Sequence, residues 1–254
     1  MKNLLDIIVN FIKNLLMKFT KPSPEKEAVP PQEWKVPAFV ENFDTLDKWV
    51  VSNWEAPMGG MFSKANASVK NNTLCLVLNQ TKLADGTIKS VGGEVRSLEE
   101  FHYGTYEFDM RSSSTAPTPT DYGSPISGSI TGCFSYNTDS ITEIDFEIEG
   151  KVATEKVIHC TTWNTTEKKE HHEYKTTGVA PYSAFNHYKY VWTPTEIRFY
   201  FNDELIHTAD NVVPSHRAFF MFNHWGTDSK NWGGMAITNV TRYMYVRNFK
   251  YTPL

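Results

Sequence analysis

The sequence predicts an all-β domain, a sandwich or a barrel. Three observations carry that prediction. Short runs with strand-like alternation recur from about residue 38 to the end, as in TLCLVLNQ, TYEFDMR, IRFYFNDELIHTA and YMYVRNFKY. Turn residues separate them, among them Leu83-Ala84-Asp85-Gly86 and Asn202-Asp203. No long helical period appears after the first twenty residues, and no internal repeat is evident.

Residues 1–20 differ from the rest. Leu4, Leu5, Ile7, Ile8, Phe11, Ile12, Leu15, Leu16 and Phe19 form a broad apolar helical face punctuated by Lys2, Asp6, Lys13 and Lys18. The uncharged stretch between Asp6 and Lys13 is too short to span a bilayer. Charges also interrupt any signal-peptide core, and no A-x-A site follows. The expectation is an amphipathic helix that lies on a membrane or docks on another chain. An atypical signal peptide and a disordered tail are the alternatives. Residues 21–37, KPSPEKEAVPPQEWKVP, read as a stiff linker rich in Pro and charge. The catalytic or binding domain is then expected over 38–254. Sequons such as Asn66-Ala67-Ser68 and Asn164-Thr165-Thr166 point weakly to a secretory route, so the expected location is extracellular or at the cell surface.

A formal net charge of -4 gives no general basic field, which argues against a nucleic-acid partner. The 7 Trp, 12 Tyr and 16 Phe serve a β core first, and leave some Trp and Tyr to line a cleft. Cys75, Cys133 and Cys160 sit in strand-like runs without metal-ligand spacing, and read as three buried thiols, with a Cys75–Cys133 bridge as the alternative. No H-x-x-x-H helix or His/Cys cluster suggests a catalytic metal, and His171-His172 read as a solvated loop. The Ser112–Ser129 stretch, rich in Ser, Thr, Pro and Gly, reads as a surface loop walling a cleft.

Glu143-Ile144-Asp145-Phe146-Glu147-Ile148-Glu149 is the most informative segment. Strand alternation sends Ile144, Phe146 and Ile148 into the core and all four acids to the other face. A merely solvated face would mix signs, because like charges repel and no Lys or Arg relieves them here. Residues i and i+4 on a strand have Cα atoms about 13 Å apart. Two Glu side chains leaning together leave about 5 to 6 Å between carboxyl groups. That matches the roughly 5 to 5.5 Å of a retaining glycosidase, where one carboxylate attacks and the other protonates the leaving oxygen. Asp145, between them, would raise a neighbour's pKa by its charge or orient the nucleophile by a hydrogen bond.

With this strand the sequence resembles glycoside hydrolase family 16, whose members carry an E-x-D-x-E or E-x-D-x-x-E strand in a concanavalin-like β-sandwich jelly roll. The uninterrupted spacing here is similar to that of lichenases, xyloglucan endotransglycosylases and fungal cell-wall transglycosylases. Gly93-Glu94-Val95-Arg96-Ser97 with Tyr103-Gly104-Thr105-Tyr106-Glu107, Phe134-Ser135-Tyr136, Tyr188–Trp192, Ile197–Asp203 and Met221-Phe222-Asn223-His224-Trp225 resemble further family segments in order. The resemblance implies Glu143 as nucleophile, Glu147 as general acid/base and Asp145 as assistant. It implies Glu94, Arg96, Phe134, Tyr136, Asn223 and Trp225 as sugar contacts. Asn223 and Trp225 share one strand face.

Several positions depart from the lichenase pattern. Met58 stands where a polar sugar-binding Asn is expected, and Lys64 and Gly92 replace the disulfide cysteines. Glu149 replaces an apolar residue. In Val157–Trp163 the expected register turns Cys160 and Thr162 toward the cleft, and a shifted register would turn His159, Thr161 and Trp163 there instead. A structural Ca2+ is common in the family, but no acidic loop here can be assigned to it, and no cofactor is expected to be required.

The expected activity is that of a retaining endo-β-glucanase on a β-1,3-1,4- or β-1,4-linked glucan, with a monomeric catalytic domain and a polysaccharide substrate. The alternatives are a cell-wall transglycosylase using the same site and a non-catalytic carbohydrate-binding sandwich. The polysaccharide itself cannot be read from the residues.

Overall fold

The computed structural model describes residues 37–137, 142–165 and 168–254. The helix expected over 1–20, and all but the end of the linker expected over 21–37, lie outside them.

The strands, numbered in chain order, form two stacked sheets joined along one side. The first runs β11 (Lys169–Lys175), β10 (Val157–Trp163), β9 (Glu143–Glu149), β8 (Ser129–Tyr136), β15 (Ala218–Gly226) and β6 (Ile88–Phe101), with β2 (Trp49–Val51) also on β6. The second runs β14 (Glu204–Ala209), β13 (Ile197–Phe201), β12 (Asn186–Trp192), β7 (Gly104–Ser114), β16 (Arg242–Pro253) and β5 (Leu74–Lys82). There β1 (Phe39–Glu41) pairs with β16 and β4 (Ala67–Val69) with β5. The sheets connect where the ends of β5 and β6 pair, from Asn79↔Val91 to Lys82↔Ile88, and β3 (Met61–Phe62) runs parallel to β6 there. This is the sandwich alternative, a jelly roll. Helical structure among the described residues is confined to two three-residue 3-10 turns, Pro57–Gly59 and Lys64–Asn66.

Alternation explains which face of each strand is dry. Ile144, Phe146 and Ile148 of β9 are buried between the sheets, as expected. Phe146 meets Phe199 of the opposite sheet edge-on at 5.2 Å between ring centroids. Phe220 and Phe222 of β15 meet Phe249 of β16 at 4.5 and 5.8 Å. Such offset and edge contacts add to area burial, so the aromatic richness is spent mostly on this interior. His224, between Asn223 and Trp225, points inward and contacts the Leu76 carbonyl at 3.0 Å and Ser113 Oγ at 2.9 Å. Burial holds its pKa down at about 3, so it is a neutral core residue. Cys75, Cys133 and Cys160 are all free thiols, Cys75 half-buried and the others buried.

Two expectations need correction. His171 and His172 are not in a loop: they lie in β11, where alternation sends them to opposite faces. Ser112–Ser114 complete β7, and the loop proper covers 115–128. Two fully buried arginines hold that loop. Arg111 donates to the carbonyls of Tyr182 and Pro119, and Arg242 to those of Ser127 and Ile237. The end of the loop pairs with the 227–236 segment through Gly128 N–H to Gly233 O and Thr227 N–H to Gly128 O.

Phe220 touches rings from both sheets, so Phe220→Ala should leave a cavity that the stacked sheets cannot close. The expected loss is about 3–5 kcal/mol in the free energy of unfolding, measured by urea titration.

Candidate active site

The outer face of the first sheet collects the site. Because neighbouring strands are in register, residues from different strands line up in cross-strand rows. One row reads Glu94 (β6), Asn223 (β15), Gly132 (β8), Glu147 (β9), His159 (β10) and Glu173 (β11). The next reads Arg96, Met221, Phe134, Asp145, Thr161 and His171. A third reads Phe219, Tyr136, Glu143, Trp163 and Lys169. Eight of the nine residues expected at the site fall in these rows, and Trp225 shares their sheet face.

The four acids of β9 do not have equal access. Glu143 and Glu147 are partly exposed, whereas Asp145 and Glu149 are 4% exposed each. Burial is the main force raising all three pKa values in the Glu143–Asp145–Glu147 group, and the charges of their neighbours in the trio add to it at Glu143 and Asp145. Asp145, the most enclosed, is raised well above the usual carboxylate range, chiefly by burial, which favours its protonated form. Burial and the Glu147 charge raise Glu143 to about 8, and the hydrogen bond from the Asp145 carboxyl works against them, favouring the Glu143 anion. Asp145 therefore acts on its neighbours as a hydrogen-bond donor rather than as a charge. Glu147 has no such donor. Burial and the Glu149 charge raise it, and His159 and Lys169 pull against them.

Glu149 behaves in the opposite way. Burial alone would raise it, but the His159 imidazole at 3.5 Å, the Gly233 N–H at 2.6 Å and the Lys151 ammonium at 3.1 Å hold it at about 2. It is a fixed anion under the 227–236 loop, not a cleft acid.

On the other side of β9, Glu94 is 3% exposed and accepts from Ser52 Oγ at 2.7 Å and from Asn223 Nδ2 at 3.2 Å. Burial raises it to about 7. The Arg96 guanidinium lies 4.2 Å over the Phe219 ring. Gly132 leaves the space that Asn223 fills: a Cβ there would sit 2.5 Å from Asn223 Oδ1. Phe134 and Tyr136 are partly exposed beside the acids, their rings edge-on at 6.5 Å.

Two expectations change. His159, Thr161 and Trp163 face the acids, and Cys160 packs in the core, so the shifted register of β10 is the correct one. The registration with Glu147, Asp145 and Glu143 enforces it. Trp225 is only 5% exposed. It packs with Ala56, Phe62 and Ile130 beneath the less buried Trp54, Met58 and Trp232. Trp54 and Trp232 thus offer the accessible indoles, and sequence reasoning missed both because they sit in irregular loops. Met58 holds a left-handed backbone (φ 56°) at the tip of its loop.

Residues 56–243 match the profile of glycosyl hydrolases family 16. The chain belongs to that family. A beta-glucanase of Brevibacillus brevis is 28% identical over 221 residues, covering 85% of this chain and 82% of its own length. Endo-1,3-1,4-beta-glycanase ExoK of Rhizobium meliloti (strain 1021) is 29% identical over 213 residues, covering 78% and 72%. Among solved structures, a prokaryotic beta-1,3-1,4-glucanase (lichenase) derived from a mouse hindgut metagenome superposes with a TM-score of 0.74 at 20% identity, over 86% of this chain and all of that one. That last likeness is one of fold, and the jelly roll of this family 16 chain is the shared frame.

The raised carboxyls set a sign for stability. Glu94 titrates near 4.5 when unfolded and at about 7 when folded, so the folded state binds the extra proton. Stability from this group is complete below pH 4.5 and is lost as pH rises through 7. Glu94→Gln should remove roughly 2–3 kcal/mol of that pH dependence. Urea midpoints of both proteins at pH 4.5 and pH 8 check it.

Proposed function

We propose that the chain is a retaining endo-β-glucanase acting on a β-1,3-1,4- or β-1,4-linked glucan by double displacement. The observation that carries the reading is the division of labour on β9: two reachable glutamates flank a buried aspartic acid that hydrogen-bonds to only one of them. The i, i+4 spacing suits the short carboxyl separation of a retaining site. Relatives named as a beta-glucanase and an endo-1,3-1,4-beta-glycanase support the substrate class.

In the first step the Glu143 carboxylate attacks the anomeric carbon. The glycosidic C–O bond breaks, and the Glu147 proton passes to the leaving oxygen. In the second step Glu147 takes a proton from water, the water oxygen attacks the anomeric carbon, and the ester bond to Glu143 breaks. The hydrogen bond from Asp145 orients Glu143 and favours its anion before attack. The same hydrogen bond also stabilises Glu143 as a leaving carboxylate. Phe134, Tyr136, Trp54 and Trp232 would stack on sugar faces, while Glu94, Asn223 and Arg96 would bond hydroxyls. These contacts would hold the chain across the strand rows.

Reducing-end release from barley β-glucan, lichenan, xyloglucan, laminarin and agarose, read beside Glu143→Gln and Glu147→Gln, tests the assignment. One glucan should be cut, and each variant should lose about 10²- to 10⁴-fold or more in rate. The first product, followed by NMR, should keep the β configuration. Equal cutting by the variants would end the assignment. Transfer to an added oligosaccharide in place of hydrolysis would make the protein a transglycosylase.

The Lys169 ammonium favours the Glu147 anion. Lys169→Met should therefore raise the Glu147 pKa and move the alkaline limb of the kcat/KM profile to higher pH. A profile left in place would remove Glu147 as the acid.

A further inference from the structure

The end of the cleft beyond Glu147 carries a group of side chains that the proposed reaction does not use. His159 of β10 and His171 and Glu173 of β11 each place one donor atom so that all three lie within 4.8 Å of one another. His159 Nδ1 is 3.9 Å from Glu173 Oε1, and His171 Nε2 is 3.7 Å from the same oxygen. A tetrahedral ion with bonds of about 2.0–2.1 Å holds its ligand atoms about 3.3–3.4 Å apart, so a shift of a few tenths of an ångström closes these two edges.

A second, independent observation points to a ligand. His159 is 3% exposed, and its ring nitrogens have only long carboxylate contacts outside hydrogen-bond geometry, Nε2 with Glu149 and Nδ1 with Glu173. A buried imidazole nitrogen left with only such a 3.9 Å contact is better satisfied by a ligand. The surroundings fix which nitrogen is free. Nε2 faces Glu149 Oε1 at 3.5 Å, so a proton there points at a carboxylate and Nδ1 presents its lone pair to Glu173. His171 is set the other way round: its Nδ1 contacts Thr161 Oγ1 at 2.9 Å, which leaves Nε2 for a ligand. Carboxylate and hydroxyl partners behind ligating imidazoles are the usual outer support of a metal site.

We infer that His159 Nδ1, His171 Nε2 and Glu173 Oε1 form a site for a borderline divalent transition ion, Zn2+ above all. Two imidazoles and one carboxylate suit such an ion, while Ca2+ and Mg2+ require an all-oxygen shell that these residues do not supply. His171 and Glu173 are exposed, which gives the ion a path in and leaves the remaining coordination to water. The ion would sit one strand from Glu147 in its cross-strand row, on the face where a glucan must lie. Zinc would therefore obstruct substrate, a consequence that rests on the catalytic reading above.

Calorimetric titration of the untagged, chelator-stripped full chain with Zn2+ tests the site without substrate, so it stands or falls apart from the glucanase assignment. The expected result is one tight zinc equivalent, weakened about tenfold or more by His171→Gln and by Glu173→Gln. His172→Gln should leave it unchanged, since His172 stacks on His207 at 4.6 Å on the opposite face of β11. Ca2+ should give no binding. Both ligand variants alter exposed side chains, and circular dichroism verifies their fold. Absence of zinc binding, zinc binding retained in both variants, or equal binding of Ca2+ would overturn the site.

Discussion

Like charges crowded on one face of β9 repel, and the placing of their neighbours follows from how that repulsion is relieved. Glu143, Asp145, Glu147 and Glu149 alternate with a core face that cannot be given up, because Ile144, Phe146 and Ile148 fill the space between the sheets. The strand therefore cannot rotate the acids away. Each is managed separately. Asp145 is buried, which favours its protonated form, Glu149 is buried and neutralised by Lys151, His159 and a backbone N–H, and the two glutamates stay at the surface of the cleft. What remains is one donor–acceptor pair and one unsupported acid, the asymmetry that acid–base chemistry needs at near-neutral pH.

The rigid second sheet makes that arrangement affordable in stability terms. Raised carboxyl pKa values mean that the folded state is penalised whenever these groups ionise. The aromatic layer linking Phe146, Phe220 and Phe222 to Phe199 and Phe249 opposes the penalty with dense, mostly apolar packing. The buried arginines serve the same end at the loops. Arg111 and Arg242 each tie irregular carbonyls to a sheet, and the loop they fix holds the 227–236 segment whose Gly233 N–H pins Glu149. The electrostatic cost at the cleft is thus offset by packing and hydrogen bonds elsewhere in the chain.

How much of this was legible in the sequence depends on whether the signal ran along a strand or across strands. The period of two exposed the carboxylate strand, the inward Ile144-Phe146-Ile148 face and the shared face of Asn223 and Trp225. Family-like segments located Glu94, Arg96, Phe134 and Tyr136. The register of β10 was not legible, because Val157–Trp163 carries apolar or small residues on both faces, and only pairing with β9 decides it. The same holds for Ser52, Trp54, Trp232 and the His159–His171–Glu173 group. They come from elements distant in sequence or from loops without a period, and only sheet order brings them together. Trp225 illustrates the remaining gap: alternation gives its face correctly, but its burial is set by the loop residues Trp54, Met58 and Trp232 that fold over it.

Glu149 shows how one substitution can couple these layers. An apolar residue at that position would need no partners. A carboxylate there, once buried, requires compensating charge, and Lys151, His159 and the Gly233 N–H supply it. By facing His159 Nε2 it directs the imidazole's proton away from the cleft and frees Nδ1 on the side of His171 and Glu173. The same contact holds the imidazole beside Glu147, where it lowers that acid's pKa against the pull of burial. A single buried carboxylate thus bears on the loop that carries Trp232, on the acidity of Glu147 and on the donor set at the end of the cleft. The chemistry at this end of β9 therefore depends on Glu149 and the three groups that hold it.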